Sequence, residues 1–295
     1  MKSPHILLAT AALAAATLTT GAAFGDLVTP RVSPKATLIQ TLGVTDITLV
    51  YSRPGVRNRP VWGELVPWDK PWRTGANEAT TFNCTTDIKV NGQHLPAGTY
   101  SFFTIPNATE WTVIFNKQSD QWGAFDYDAK QDQLRVKATP TASDYREWME
   151  LGFEDLSPAA LPLSPSAGKL VLRWEKIAVP ITIETDMSNI VLNSARDEIS
   201  KLKPDDWRTP FRAASFAFDN NLDNRGEARG WIQKSVAIQE NFQNLTLLAR
   251  MQAKEGKKKD AIASANKAVK LGKASKPAVD TAPTEKLIAE WSGKK

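Results

Sequence analysis

The hydrophobic period of this chain changes once, after Asp186, and the change calls for two kinds of architecture in one polypeptide. Upstream, apolar and polar residues alternate. Ile47, Leu49 and Tyr51 form one such set, as do Trp111, Val113 and Phe115, and Leu134, Val136 and Ala138. Leu170, Leu172 and Trp174 form another, followed by Val179, Ile181 and Ile183. A period of two places every second side chain on one face of a half-buried strand. Turn signals at Asn91-Gly92, Pro96-Ala97-Gly98 and Pro106-Asn107 separate the runs. Many short strands with no helical pattern between them predict an antiparallel β-sandwich or open barrel. The stretch Leu156 to Gly168, with Pro158, Pro162 and Pro165, reads as a loop within it.

Downstream, apolar residues recur at helical spacing. Ile190, Leu192, Ile199 and Leu202 predict a helix ending near Lys203-Pro204. Further helices fit 211–221, 227–239, 245–254, 259–271 and 284–291. The expected class is α+β: a β domain over residues 26–186 and an all-α region over 187–295. Leu245, Leu248, Ala249, Ala261, Ala265 and Ala268, with Gly256 in the turn, match the spacing of a tetratricopeptide-like helix pair, a unit used for docking proteins. Such units need about three copies to stand alone. The helices are therefore expected to pack on one another and partly on the β domain.

The first 25 residues read as a secretory signal peptide. Lys2 supplies the basic start, Ile6 to Leu18 the apolar run, and Gly21 to Gly25 the small residues before cleavage. That run is short for a membrane span and no other apolar stretch is long enough, so no integral membrane segment is expected after cleavage. A periplasmic or secreted protein is the expectation. The single cysteine, Cys84, precludes an internal disulfide and suits a buried, inert thiol. The net charge of +5 is uneven: residues 26–186 carry 16 Lys and Arg against 19 Asp and Glu, and residues 187–295 carry 20 against 13. Export argues against nucleic acid as a partner, and the scattered lysines read as a solvated helix surface.

Large, specific side chains concentrate between Tyr51 and Glu78. Arg53, Arg57, Arg59 and Arg73 share this loop-rich stretch with Trp62, Trp68 and Trp72, and with Asn77 and Glu78. Guanidinium groups beside aromatic faces suit a carboxylate, a phosphate or a sugar, or else a rigid internal network. In the internal reading, Arg73 and Glu78 pair across the Thr-Gly-Ala-Asn turn, and the tryptophans cap one end of the sandwich. In the binding reading, arginines face a cleft and a tryptophan stacks on the ligand. The candidate ligand-binding set is Arg53, Arg57, Arg59, Trp62, Trp72, Arg73, Asn77 and Glu78.

Catalytic constellations are sparse. The mature chain has one histidine, His94, in a hairpin region, which is too little for a Ser-His-Asp triad or a multi-histidine metal site. There is no Gly-x-Ser-x-Gly elbow and no Gly-rich phosphate loop before a helix. Asp120, Asp126, Asp128 and Asp132 cluster without the spacing of a calcium loop and read as a polar surface loop. Glu64, Asp69 and Glu78 are the acids near the arginines, whose charge disfavours a raised carboxyl pKa. Trp111, Trp122 and Trp174 are expected in the core.

Residues 33 to 184 resemble an uncharacterised family of secreted bacterial proteins, domain of unknown function 2911. The resemblance rests on Ser33-Pro34, Tyr51-Ser-Arg-Pro54, Arg59, Gly63 and Trp72-Arg-Thr-Gly-Ala-Asn-Glu78. It continues through Pro96-Ala-Gly-Thr-Tyr-Ser101, Ile105-Pro106, Trp111, Asn116-Lys117, Trp122-Gly123 and Trp174-Glu175. The helical tail also looks like one found in members of that family. The resemblance implies the β fold and export. It carries no established activity and no catalytic residues.

The reading with most support is an exported module without catalysis or cofactor. It binds a small anionic or carbohydrate ligand at the Arg/Trp segment and a protein partner on its helices. One alternative is an envelope polysaccharide or peptide hydrolase using Glu78 or Asp69. A structural scaffold is the other.

Overall fold

A computed structural model describes residues 29–157, 166–222 and 226–293. The signal-peptide expectation for residues 1–25, and residues 158–165 of the proline-rich loop, lie outside the described residues.

Among the described residues, ten strands form two antiparallel sheets. The first runs β1 (Lys35–Leu42), β2 (Thr45–Ser52), β3 (Thr80–Cys84), β6 (Gly98–Ile105), β7 (Trp111–Asn116) and β8 (Asp132–Ala138). The second runs β5 (Gln93–Leu95), β4 (Ile88–Val90), β10 (Ala167–Thr185) and β9 (Thr141–Glu154). Ile47, Leu49, Phe82, Phe102, Val113 and Phe115 from the first sheet join Met149, Leu151, Leu170, Leu172, Ile181 and Ile183 from the second in one buried core. Each such side chain contributes about 1.5–3 kcal/mol by leaving water, which is why the alternating pattern fixes which face of each strand turns inward.

The sets at Leu170–Trp174 and Val179–Ile183, separate in the sequence reading, belong to a single 19-residue strand, β10. The inward positions are even-numbered in the first set and odd-numbered in the second. The phase changes at register shifts between Arg173 and Glu175 and between Glu175 and Ile177, where Glu175 has φ +56. A bulge of this kind inserts the extra residue that re-aims the strand. Strand β9 has no counterpart in the alternation read above. Its first half lies at the surface and only Met149 and Leu151 are fully buried, so the inward period covers a short part of it.

Strand β10 ends at Thr185, and Asp186 starts α1 (Met187–Ser200) by accepting the Asn189 amide at 3.1 Å. Helices α2 (Arg208–Asp219), α3 (Glu227–Ile238), α4 (Phe242–Lys254), α5 (Lys258–Ala274) and α6 (Ala282–Trp291) follow. The principal helix contacts run from each helix to the next. Ala214, Ala217, Ala228, Ile232, Leu247 and Met251 form their core. Ala249 of α4 and Ala261, Ala265 and Ala268 of α5 are buried, and Gly256 makes the turn between these helices at φ +79. Helix α6 reaches back to α4, with Thr284 and Thr246 hydroxyls 3.5 Å apart. Met187 packs over Gly43, so the β domain meets the helices at this junction, and the principal helix contacts leave it no larger share.

The outer face of the larger sheet carries a second, smaller cluster. Ala79, Phe103 and Ile114 are buried there under Ala124 and Tyr127. The covering segment, residues 117–131, positions the site described next.

Candidate functional site

The Tyr51–Glu78 segment divides into three parts. Residues 54–57 lie along the edge of β9. The Val56 amide donates to the Glu147 carbonyl at 2.8 Å, the Met149 amide donates to the Pro54 carbonyl at 3.0 Å, and Gly55 bridges to Trp148. An exposed edge strand invites pairing with another chain, and this segment covers the edge.

Three arginines hold that cover in place. Arg53 Nε donates to the Met149 carbonyl at 2.7 Å, with Glu150 3.8 Å from Nη2. Arg59 donates to the Val56 and Gly55 carbonyls at 3.0 and 2.7 Å. The Arg57 guanidinium stands 5.6 Å from the Trp148 ring centre, and its amide donates to Glu147. The Tyr145 hydroxyl and then the Arg57 amide hold the Glu147 carboxyl below its ordinary pKa. For Arg53 and Arg59 this is the internal reading of the sequence, with carbonyl oxygens as the main partners.

The tryptophans form the second part. Trp62 is edge-on to Trp72, Trp111 and Trp174, at 6.0, 5.0 and 5.6 Å between ring centres. Trp72 stacks on Trp174 at 5.8 Å, and Trp68 stacks on Trp62 at 6.3 Å. Gly63, at φ +90, admits the Trp68 indole where a β-carbon would stand 2.6 Å from its Nε1. Edge-to-face and offset rings add about 0.5–1.5 kcal/mol per pair beyond their burial. The cluster belongs to the core shared by the two sheets. Trp72 is buried within it, with its indole N–H donating to the Gly75 carbonyl at 3.1 Å.

Arg73, Asn77 and Glu78 form the third part, beside the 117–131 segment. The expected Arg73–Glu78 pair is absent: among the described residues the Arg73 guanidinium makes no ion pair, and its Nε is buried without a hydrogen-bond partner. Burial holds its pKa below the ordinary arginine value. In the turn between them, Asn77, at φ +59, donates to the Ser52 hydroxyl at 3.2 Å, and Glu78 forms an isolated backbone bridge with Trp122. Thus Arg53, Arg57 and Arg59 gather at β9, Trp62 and Trp72 gather in the core, and Arg73 stands apart from both.

The 117–131 segment is firmly anchored. Asn116, fully buried, donates to the Asp128 carbonyl and the Asp132 carboxylate at 2.9 and 2.8 Å, and accepts from the Gln118 amide and the Gln121 side chain. Ser101 donates to the Gln118 carbonyl, and the Ala79 amide to the Gln121 carbonyl. On this scaffold Gly123 has φ +69, and a β-carbon there would stand 2.9 Å from the Phe125 ring and 3.7 Å from Arg73 Nη1. The ring and the guanidinium therefore both approach Gly123, which is itself buried. Phe125 is 84% exposed and Trp122 57% exposed. Trp122 is a correction to the core expectation: it sits between exposed Asp120 and a turn glycine, outside any alternating strand. Phe125 was not singled out by sequence, although its place beside Gly123 and Asp126 marks a surface loop. Ser119, Asp120 and Gln121 also line a cleft of about 310 Å³ with Lys35, Glu78 and Thr81.

The remaining chemical candidates are exposed or have structural partners. Asp69 is exposed and accepts from Asn107 at 2.7 Å, while Glu64 is exposed. His94 contacts Asp87 at 2.9 Å on the surface. Asp132 accepts from Tyr127 and Arg135, and Asp128 caps a single 3-10 turn at residues 129–131. Among the described residues no group of three or more His, Cys, Asp or Glu is arranged to hold a metal, and no helix is long and apolar enough to cross a membrane. Cys84 is buried, and desolvation pushes its thiol up to about 11.

Two packed antiparallel sheets with an arginine-pinned edge and a tryptophan-rich core, followed among the described residues by six helices, define the class: an α+β protein whose β domain carries the distinctive residues. Residues 33–183, just over half of the chain, match the family described as Protein of unknown function (DUF2911), and the chain belongs to that family. No curated protein and no solved structure matches the chain.

Proposed function

We propose that this chain is an exported, non-catalytic binding module whose β domain holds a small anionic or carbohydrate ligand. The observation that carries this reading is Arg73. A guanidinium with a buried, unbonded Nε, half-buried and close to the exposed Phe125 ring, is costly to a fold that gains nothing from it. Aromatic surface with a few convergent polar groups is the usual composition of a ligand site. Arg53, Arg57 and Arg59 serve this module as framework, and the ligand contacts shift from the N-terminal arginines to Arg73, Trp122 and Phe125.

The helices supply a second surface in this reading. The buried alanines of α4 and α5 support a tetratricopeptide-like pair, and such pairs dock protein partners. The signal-like first 25 residues support export to the periplasm or beyond. The test is a thermal-shift series on the mature chain with organic acids, sugars and inorganic phosphate. Stabilisation by one of these classes that is lost in Arg73→Ala supports the module. No stabilisation by any of them counts against it.

A further inference from the structure

We infer that the helical region carries an anion site of its own: the cleft lined by α2, α3 and α4 takes a carboxylate that bears a short apolar body. This site lies beyond the β-domain reading above. No residue of the cleft belongs to the Arg73 segment, so it stands even if Arg73 binds nothing.

One cleft of about 310 Å³ gathers the residues concerned. Ala217 and Phe218 come from the end of α2, with Asn221 just after it. Arg229 comes from the first turn of α3. Met251 and Lys254 come from the last turn of α4, and Glu255 follows them.

The cations of this lining are under-matched. Arg229 Nη1 stands 3.4 Å from Glu255, yet it is buried without a hydrogen-bond partner. Glu255 is held instead by Lys257 at 2.8 Å. Lys254 donates to the Asn221 side-chain oxygen at 2.7 Å and stands 5.1 Å from the Phe218 ring centre, and no carboxylate among the described residues pairs with it. Arg250, over the same ring, is taken by Asp219 at 2.8 Å. The lining therefore sets Arg229 and Lys254 against Glu255 alone, and the flanking Arg250, Lys257 and Asp219 add a further cation to the surplus. The carboxyl ends of α2 and α4 carry partial negative charge here, but the amino end of α3, of opposite sign, lies within one turn of Arg229. An anion in the cleft satisfies the donor that burial leaves unbonded.

Charge admits a carboxylate or a phosphate, and the floor decides between them. Ala217 and Met251 belong to the buried core of the helices and also line the cleft, beside Phe218. A phosphate points oxygens in every direction, so some would face these apolar groups without a donor. A carboxylate keeps both oxygens at one end, and its carbon body covers Ala217 and Met251 and removes their remaining surface from water. The volume is at the small end for ligand sites, which limits that body to a few carbons. A free organic acid and an acidic side chain of a docked polypeptide present this same chemistry.

The test is a proton–nitrogen NMR titration of the mature chain with isocaproate, its neutral analogue isocaproamide, acetate, inorganic phosphate and the capped peptide acetyl-alanyl-leucyl-glutamyl-alanine amide. Isocaproate is expected to shift the amides of Arg229, Lys254 and Glu255. Isocaproamide, acetate and phosphate should each bind about tenfold or more weaker, the loss of roughly one charged or apolar contact. Lys254→Gln changes an exposed side chain and leaves the fold intact, and it is expected to weaken isocaproate by about tenfold, as is Arg229→Gln. If Arg229→Gln fails to fold, Lys254→Gln decides alone. Tighter binding of the peptide than of isocaproate supports the site with a protein as the source of the carboxylate, and weaker binding supports it with a free acid. Phosphate or isocaproamide binding as tightly as isocaproate overturns the carboxylate assignment. Shifts that survive Lys254→Gln, or that fall only around Arg73 and Gly123, overturn the helical site and leave the β-domain reading standing. No shift with either carboxylate overturns the helical site, whatever the thermal-shift series shows for Arg73.

Discussion

The Tyr51 hydroxyl exchanges two hydrogen bonds with Leu151, donating to its carbonyl at 3.2 Å and accepting from its amide at 3.1 Å. A side chain of the six-stranded sheet thereby takes the place of a strand neighbour on the free edge of β9. Replacing it with phenylalanine leaves a buried carbonyl and a buried amide unpaired. Tyr51→Phe is expected to lower stability by about 1–3 kcal/mol, read as a fall in the urea midpoint at unchanged slope. A midpoint equal to that of the parent would mean that water satisfies both groups and the stitch carries no energy.

The tryptophan cluster makes a stronger demand. Trp174 is 1% exposed, stacks on Trp72 and meets the edge of Trp62. Trp174→Ala removes the shared wall of this group and is expected to cost about 3–5 kcal/mol. The near-ultraviolet circular dichroism should lose most of its indole signal in parallel, because the coupled rings would no longer hold fixed angles. Trp68→Ala, at the rim of the cluster, should change both far less.

Legibility in the sequence followed the physics of each element. The strands around Ile47–Tyr51 and Trp111–Phe115 and all six helices were readable, because one-sided burial imposes a period on the chain. The unity of β10 was hidden by the bulge at Glu175, which shifts the phase and makes one strand look like two. Strand β9 was hidden because an edge strand buries few side chains. The arginine-rich stretch stood out by composition, but composition does not say which partner each guanidinium meets. Carbonyl oxygens of Gly55, Val56 and Met149 took two of the arginines, and no side-chain pattern encodes them. Trp122 was misplaced because residue type alone suggested the core, whereas the adjacent Gly123 and acidic neighbours argue for a surface loop.

Arg59 and Arg73 should respond oppositely to truncation. Arg59 satisfies two carbonyl oxygens, so Arg59→Ala is expected to destabilise by about 1–3 kcal/mol. Arg73 has no ion-pair partner among the described residues and a buried, unbonded Nε, so Arg73→Ala should leave the ligand-free protein as stable as the parent or slightly more so. Thermal denaturation of the two variants without added ligand reads the contrast. A large loss of stability in Arg73→Ala would assign that residue to the framework and withdraw it from the site.

Asn116 fixes the segment that carries Trp122 and Phe125. Its side chain bonds Asp128, Asp132, Gln118 and Gln121 from a fully buried position. Asn116→Ala leaves several of these partners unmatched and should free the segment before it unfolds the sheets. Limited proteolysis with trypsin checks this: cleavage after Lys117 or Lys130, both exposed, should accelerate while the melting transition of the β domain persists. Cleavage rates equal to those of the parent would place the anchor elsewhere, in the Ala79–Gln121 and Asn77–Gly123 backbone bonds.

Cys84 gives a pH-dependent prediction whose sign follows from burial. Desolvation is the main reason that its thiol is pushed up from 9.0 to about 11, with a smaller push from the charge of Asp87, against a backbone hydrogen bond from Gly98 that lowers it. The folded state therefore holds its proton more tightly than the unfolded chain. The stabilisation from the neutral thiol is fully present below about 9 and is lost as pH rises through about 11. Cys84→Ala should flatten the fall of stability over that window relative to the parent, since both proteins share every other titrating group. The thiol should also resist a disulfide reagent at pH 8 in the folded protein and react fully in denaturant. Rapid reaction of the folded protein at pH 8 would show that β3 opens locally at Cys84, because a protonated, desolvated thiol has no other route to the reagent.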